Sequence, residues 1–130
     1  MRLPHLDQLV LLERGEAGLL AKALAVLVRD VTHAERPVPR LELLTFGPLV
    51  ALGRQLLQIH QREQLTPVRP KCPARPRRLR VRYDQLVALL FHRLALFYCG
   101  LSEEENLQLR GVVGKFQQKA LNLSQWVAPS

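Results

Sequence analysis

The feature that most constrains this chain is the stretch Thr66 to Arg82, TPVRPKCPARPRRLRVR. Pro67, Pro70, Pro73 and Pro76 recur at every third position. No regular α-helix runs through that spacing, because each proline removes a backbone donor and its ring crowds the preceding turn. Prolines at period three suit a polyproline II path, extended and solvated along its backbone. The stretch also holds the charge. Seven of the nineteen Lys and Arg residues lie in it, Arg69, Lys71, Arg75, Arg77, Arg78, Arg80 and Arg82, with no acid between Glu63 and Asp84. Outside it twelve bases face eleven acids, so the net charge of +8 is a local property. Toward its end Arg78, Arg80 and Arg82 alternate with Leu79 and Val81. That period of two predicts a short extended piece with its apolar side chains on the body and its arginines outward.

On either side of this strap the chain is leucine-rich. A length of 130 residues suits one domain with one core. Apolar residues make up 48% and aromatics only 5%, which favours packed helices over a sandwich or barrel and excludes wholesale disorder. In the N-terminal half, residues 1–64, the spacing predicts a helix over Leu3–Glu13, with Pro4 in its first turn and Leu6, Leu9 and Val10 on one side. Gly15 punctuates it. A longer helix is expected from Glu16 to about Ala34, carrying Leu19, Leu20, Ala23, Leu24, Leu27, Val28 and Val31, with Ala17, Ala21 and Ala25 leaving its flanks slim for close packing. Pro37 and Pro39 close it. Arg40–Phe46 reads as a short helix. Gly47-Pro48 then separates it from a helix with Leu49, Leu52, Leu56 and Ile59 as core face, the alternative being one long helix kinked at Pro48.

The C-terminal half, residues 83–128, reads as a helical hairpin. The first arm, Tyr83–Gly100, presents Tyr83, Leu86, Val87, Leu90, Leu94, Phe97 and Tyr98 on one face. Leu89, Phe91 and Leu96 widen the apolar surface beyond one stripe, which places such a helix mid-bundle or against another protein. With Trp126 these three form the candidate partner interface. Gly100 is the expected C-cap, and Ser102-Glu-Glu-Glu105 reads as a capping box for the last helix. That helix carries Leu109, Val112, Val113, Phe116, Ala120 and Leu123 on its core side. The expected fold is therefore an all-α bundle of five to six helices in a single domain, with residues 65–82 as a long basic, proline-rich crossover.

Catalytic machinery is not legible. His5, His33, His60 and His92 are dispersed, Cys72 and Cys99 make no CxxC or Cys-His grouping, and no phosphate-loop, dinucleotide or nucleophile-elbow motif occurs. Glu103, Glu104 and Glu105 are accounted for by helix capping. The expectation is a protein that is not an enzyme, with no metal, cofactor or small-molecule substrate. Cys99 reads as a small core residue, and Cys72 sits among cations that favour its thiolate. Two lone thiols, a first segment unlike a signal peptide, and apolar runs too short for a membrane span predict a cytoplasmic protein, or a nuclear one in a eukaryote.

Arginine offers planar multi-donor contacts to phosphate, and six of the strap's seven cations are arginine. The candidate nucleic-acid residues are those seven, extended by Arg54, Arg62, Lys115 and Lys119 if the helices bring them to the same side. Aromatic residues for base stacking are scarce, so recognition of the backbone of RNA or single-stranded DNA is expected. The leading reading is a non-catalytic basic subunit of a larger ribonucleoprotein or nucleoprotein assembly. The alternative is a protein–protein adaptor that buries its apolar helix against a partner subunit without touching nucleic acid. In size, helix content and basic balance the chain resembles the small helical subunits of ribonucleoprotein machines, such as those of CRISPR effector complexes. That is a likeness of class carried by no motif.

Overall fold

The computed structural model describes residues 7–32, 40–65, 76–97 and 100–124. The elements run β1 (Gln8–Leu12), α1 (Glu16–Thr32), α2 (Arg40–Leu65), β2 (Arg77–Val81), α3 (Tyr83–Phe91), α4 (Arg93–Leu96) and α5 (Glu103–Ser124). Helices dominate, as composition predicts, but a two-stranded antiparallel sheet joins them. The all-α expectation is corrected on this point.

The correction falls mainly on the first segment. Leu9-Val-Leu-Leu12 is a continuous apolar run, and such a run has no period of its own to separate strand from helix. Pairing with β2 decides it. Gln8 lies opposite Val81, Val10 opposite Leu79 and Leu12 opposite Arg77, while Leu9 faces Arg80 and Leu11 faces Arg78. Val10, Leu12, Leu79 and Val81 are buried, so the inward face of this ribbon is part of the core. The alternation read in the basic stretch is thus realised as β2. Residues 66–75, for which a polyproline path is expected, lie outside the described residues.

Between β1 and α1 the chain turns at Gly15, whose φ of +89° is open to glycine and strained for other residues. The Gly15 carbonyl accepts the Leu19 N–H at 3.1 Å and starts α1. From there the predicted stripe is buried as Ala17, Leu20, Ala21, Ala23, Leu24 and Leu27. Helix α2 buries Leu49, Leu52, Leu56 and Ile59 against it. It is one helix with Pro48 inside, so the alternative of a single long helix holds and the separate Arg40–Phe46 helix does not. Proline lacks only its own donor and crowds only the preceding turn, a local defect that the buried leucines on its C-terminal side outweigh.

Where α1 and α2 approach, the fit is close. A Cβ on Gly18 would collide with Nδ1 of His60, so the His60 ring occupies the space a side chain at position 18 would take. Nearby, the buried Glu63 accepts the Gly15 N–H on Oε2 at 3.0 Å, and the Arg14 guanidinium donates to the Glu63 carbonyl at 2.8 Å.

The predicted Tyr83–Gly100 helix is interrupted. α3 ends at Phe91, its C-cap His92 leaves the helical region at a φ of −99° and a ψ of 8°, and α4 is a single turn. The buried His92 ring stacks on Phe46 of α2 at 5.6 Å and meets Phe91 edge-on at 4.9 Å. Gln85, also buried, accepts the Arg82 N–H and donates to Gln55 of α2, each at 3.0 Å. Gly100 takes a φ of +75°, and the Ser102–Glu105 capping box forms as expected. Helix α5 buries Leu109, Val112, Val113 and Phe116. Gly111 and Gly114 of α5 are exposed, and a Cβ on either meets nothing within 4 Å.

Two measurements test this packing. Replacing Gly18 with alanine should lower stability by about 1–2 kcal/mol, because the added carbon displaces a packed ring. In a His60→Ala background the same change should instead stabilise by about 1 kcal/mol, the ordinary helix preference for alanine. Urea titration of the four proteins reads the sign reversal. The second concerns Glu105, whose carboxyl is held below its ordinary value of 4.5, first by the Lys22 ammonium bonded to it at 3.1 Å and then by the Ser102 N–H. A lowered folded value means the contribution is complete above the unfolded value and is lost as pH falls through the lowered one. Carboxyl NMR titration should find the Glu105 midpoint below that of an ordinary glutamate, moving back toward it in Lys22→Gln.

Candidate functional site

The described end of the basic stretch is a strand held by its apolar side. Leu79 and Val81 enter the core, and period-two geometry then sends Arg78 and Arg80 to the opposite face. Across the ribbon from them stand Leu9 and Leu11, each 52% exposed. On the outer face a column of two leucines on β1 runs beside a column of two arginines on β2. Each arginine has a leucine as its direct cross-strand neighbour, so the guanidinium stems lie along apolar surface while the heads reach solvent. Arg80 is tied to Asp7 at 3.1 Å. No acid pairs with Arg78 among the described residues.

The remaining candidates divide. Arg77 shares the inward parity and is half-buried, opposite Leu12. Arg82 is half-buried at the start of α3, 3.4 Å from Asp84. Lys115 comes close to the ribbon from below: it donates to the Leu11 carbonyl at 3.1 Å and pairs with Glu16. Its charge is thereby spent on holding α5 to β1 and α1, and it is withdrawn from the candidate anion contacts. Lys119 lies one turn further along α5 and is half-buried. Arg62 is exposed on α2. Arg54, also exposed, borders a cleft between α1 and α2, so it belongs to a different feature from the ribbon. Arg69, Lys71 and Arg75 lie outside the described residues, as do Cys72 and Cys99.

The candidate partner interface is redrawn. Leu89 and Leu96 are fully buried in the core and cannot meet another protein. Tyr83, Val87, Phe91 and Leu94 are exposed instead, at 40, 46, 49 and 66%. Tyr83, Val87 and Phe91 follow one another at intervals of four, a stripe along α3, and Leu94 lies beyond the break at His92. Of the face expected for this segment, Tyr83, Val87 and Leu94 turn outward, whereas Leu86 is buried and Leu90 and Phe97 pack against the core. An all-round apolar helix carries no internal signal for which side is inward, and the buried Gln85 and His92, polar by type, mark the true inner side here. Trp126 lies outside the described residues. Among the described residues no group of three His, Cys, Asp or Glu side chains is placed to hold a metal ion, and no helix is long and apolar enough to cross a membrane.

In comparisons with protein-family models, curated proteins and solved structures, the chain finds no match.

The ribbon arrangement makes a testable distinction between its two faces. Leu79→Ala should cost about 2–4 kcal/mol of stability, as a large-to-small change in a packed core. Arg78→Gln should cost less than about 1 kcal/mol, because that exposed side chain pairs with no acid among the described residues. Thermal or urea unfolding of the two variants, side by side with the parent, checks the contrast.

Proposed function

We propose that this chain is a non-catalytic, basic helical subunit that holds the backbone of RNA or single-stranded DNA within a larger assembly. The observation that carries the reading is the anchored ribbon: the basic stretch ends in a strand whose leucine and valine are core residues and whose Arg78 and Arg80 face solvent. A cation on an anchored strand loses less conformational freedom on meeting a phosphate than one on a free tail. Arginine supplies forked donors suited to phosphate oxygens. The paucity of aromatics near the ribbon favours contact with the sugar–phosphate chain over base stacking.

A second reading, the adaptor, is supported by the exposed Tyr83, Val87, Phe91 and Leu94. Exposed apolar surface of this kind marks interaction surfaces in soluble proteins. The two readings use different residues and are compatible in one subunit.

Binding of a labelled single strand and of a duplex, followed by anisotropy against salt, tests the first. The logarithm of the affinity should fall linearly with that of salt concentration. Arg78→Gln with Arg80→Gln should weaken binding and flatten the single-strand slope by about 1.4, two phosphate contacts' worth of counterion release. Equal affinity and equal slope in parent and variant would sink the nucleic-acid reading. Val87→Asp should leave that binding intact and abolish any protein association that survives nuclease treatment.

A further inference from the structure

A second feature lies apart from the ribbon. Above the buried leucines that pack α1 on α2, the two helices leave a cleft beside the His60–Gly18 seam. The reason is residue size. On α1 the walls are Ala21 and Ala25, and on α2 the facing position is Gly53, where a Cβ would meet nothing within 4 Å. The slim alanine flank, expected from sequence to let a neighbouring helix approach, here borders open space. The result is a cleft of about 730 Å³ with an apolar floor that includes Leu24 and Leu49. The first turns of α5 form its remaining wall through Glu105 and Gln108.

We infer that this cleft binds a small amphiphile with a single anionic head, its apolar body on the floor and its head at the mouth beside Arg54. Three observations support a molecule of that class. The volume falls within the range of small-molecule sites, roughly 300–1,000 Å³. The lining is largely apolar, so burial of a hydrocarbon or aromatic body supplies the driving force. Charge at the mouth is unbalanced. Lys22 and Glu105 neutralise one another, whereas Arg54 has no acidic partner among the described residues. A leftover guanidinium beside an apolar cleft selects for a carboxylate, sulfonate or phosphate over a neutral or cationic head.

The probes are 8-anilinonaphthalene-1-sulfonate and decanoate, titrated into the full chain by fluorescence and calorimetry. One saturable site is expected, with decanoate displacing the dye. Gly53→Leu places a side chain in the open space and should weaken decanoate at least about ten-fold. It replaces a helical glycine by a good helix former, so circular dichroism should show the helices retained. Ala25→Phe, filling the cleft from the opposite wall, is the independent check if Gly53→Leu does not fold. Arg54→Gln should weaken decanoate by about five-fold or more while leaving decan-1-ol unchanged, since only the charged head meets that residue. Dye binding that is unsaturable, or indifferent to both filling variants, overturns the site, because it would then report other exposed apolar surface. Equal binding of decanoate and decan-1-ol overturns the anionic head. A dimer in light scattering that dissociates in Gly53→Leu overturns the proposal in favour of a second copy as occupant.

Discussion

The architecture depends on how the C-terminal end of α2 holds the turn from β1 into α1. The Glu63 carboxylate, buried at that end, accepts the Gly15 N–H, and Arg14 reaches across to the Glu63 carbonyl. One helical turn earlier, His60 fills the place of the missing side chain at Gly18. A buried carboxylate is costly unless it is hydrogen-bonded, and here Oε2 takes the Gly15 N–H while Oε1 is buried without a partner. Gly15 is also required: at a φ of +89° another residue would carry strain of about 1–2 kcal/mol, and the strand would leave the turn in a different direction.

Both candidate sites descend from that clamp. With the turn held, β1 projects at a set angle and offers its edge to β2, which brings the end of the basic stretch onto the body. Lys115 reinforces the placement from below by bonding to the Leu11 carbonyl and to Glu16. On the other side of the seam, α1 and α2 stay packed through buried leucines, and the alanines and Gly53 leave an unfilled cleft along their outer edge. The arginine ribbon and the apolar cleft are thus separate surfaces built on one junction.

The helix beginning at Tyr83 shows how polar residues can identify an inner face that leucines do not. Gln85 and His92 are buried because each has a specific partner on α2, Gln55 for the amide and Phe46 for the ring. Their positions rotate α3 so that Leu86 and Leu89 point inward while Val87 and Phe91 stay in solvent. Where apolar residues surround a helix, burial of the hydrophobic set is nearly degenerate with respect to rotation. Hydrogen bonding breaks the degeneracy, since a buried amide without a partner is penalised and a buried leucine is not.

Much of the chain was determined by sequence alone because the information is local. The stripes of α1, the C-terminal part of α2, and α5 repeat within a turn or two, and the Ser102–Glu105 box closes over three residues. The alternation Arg78-Leu-Arg-Val81 states its own geometry, and so the arginines of the candidate interface were legible before any fold. Tertiary structure decided what depends on distant partners. Leu9–Leu12 became a strand only because β2 lay beside it, and Pro48 stayed inside α2 because the packing around it outweighed a local defect. Leu89 and Leu96 went inward because α2 supplied partners for Gln85 and His92. Lys115 was lost from the candidate interface to Glu16, and the cleft exists only because small residues on two helices met across a gap. Local periodicity specifies an element and its stripe. Which neighbour covers that stripe is a property of the assembled core, where contacts between residues far apart in the chain compete.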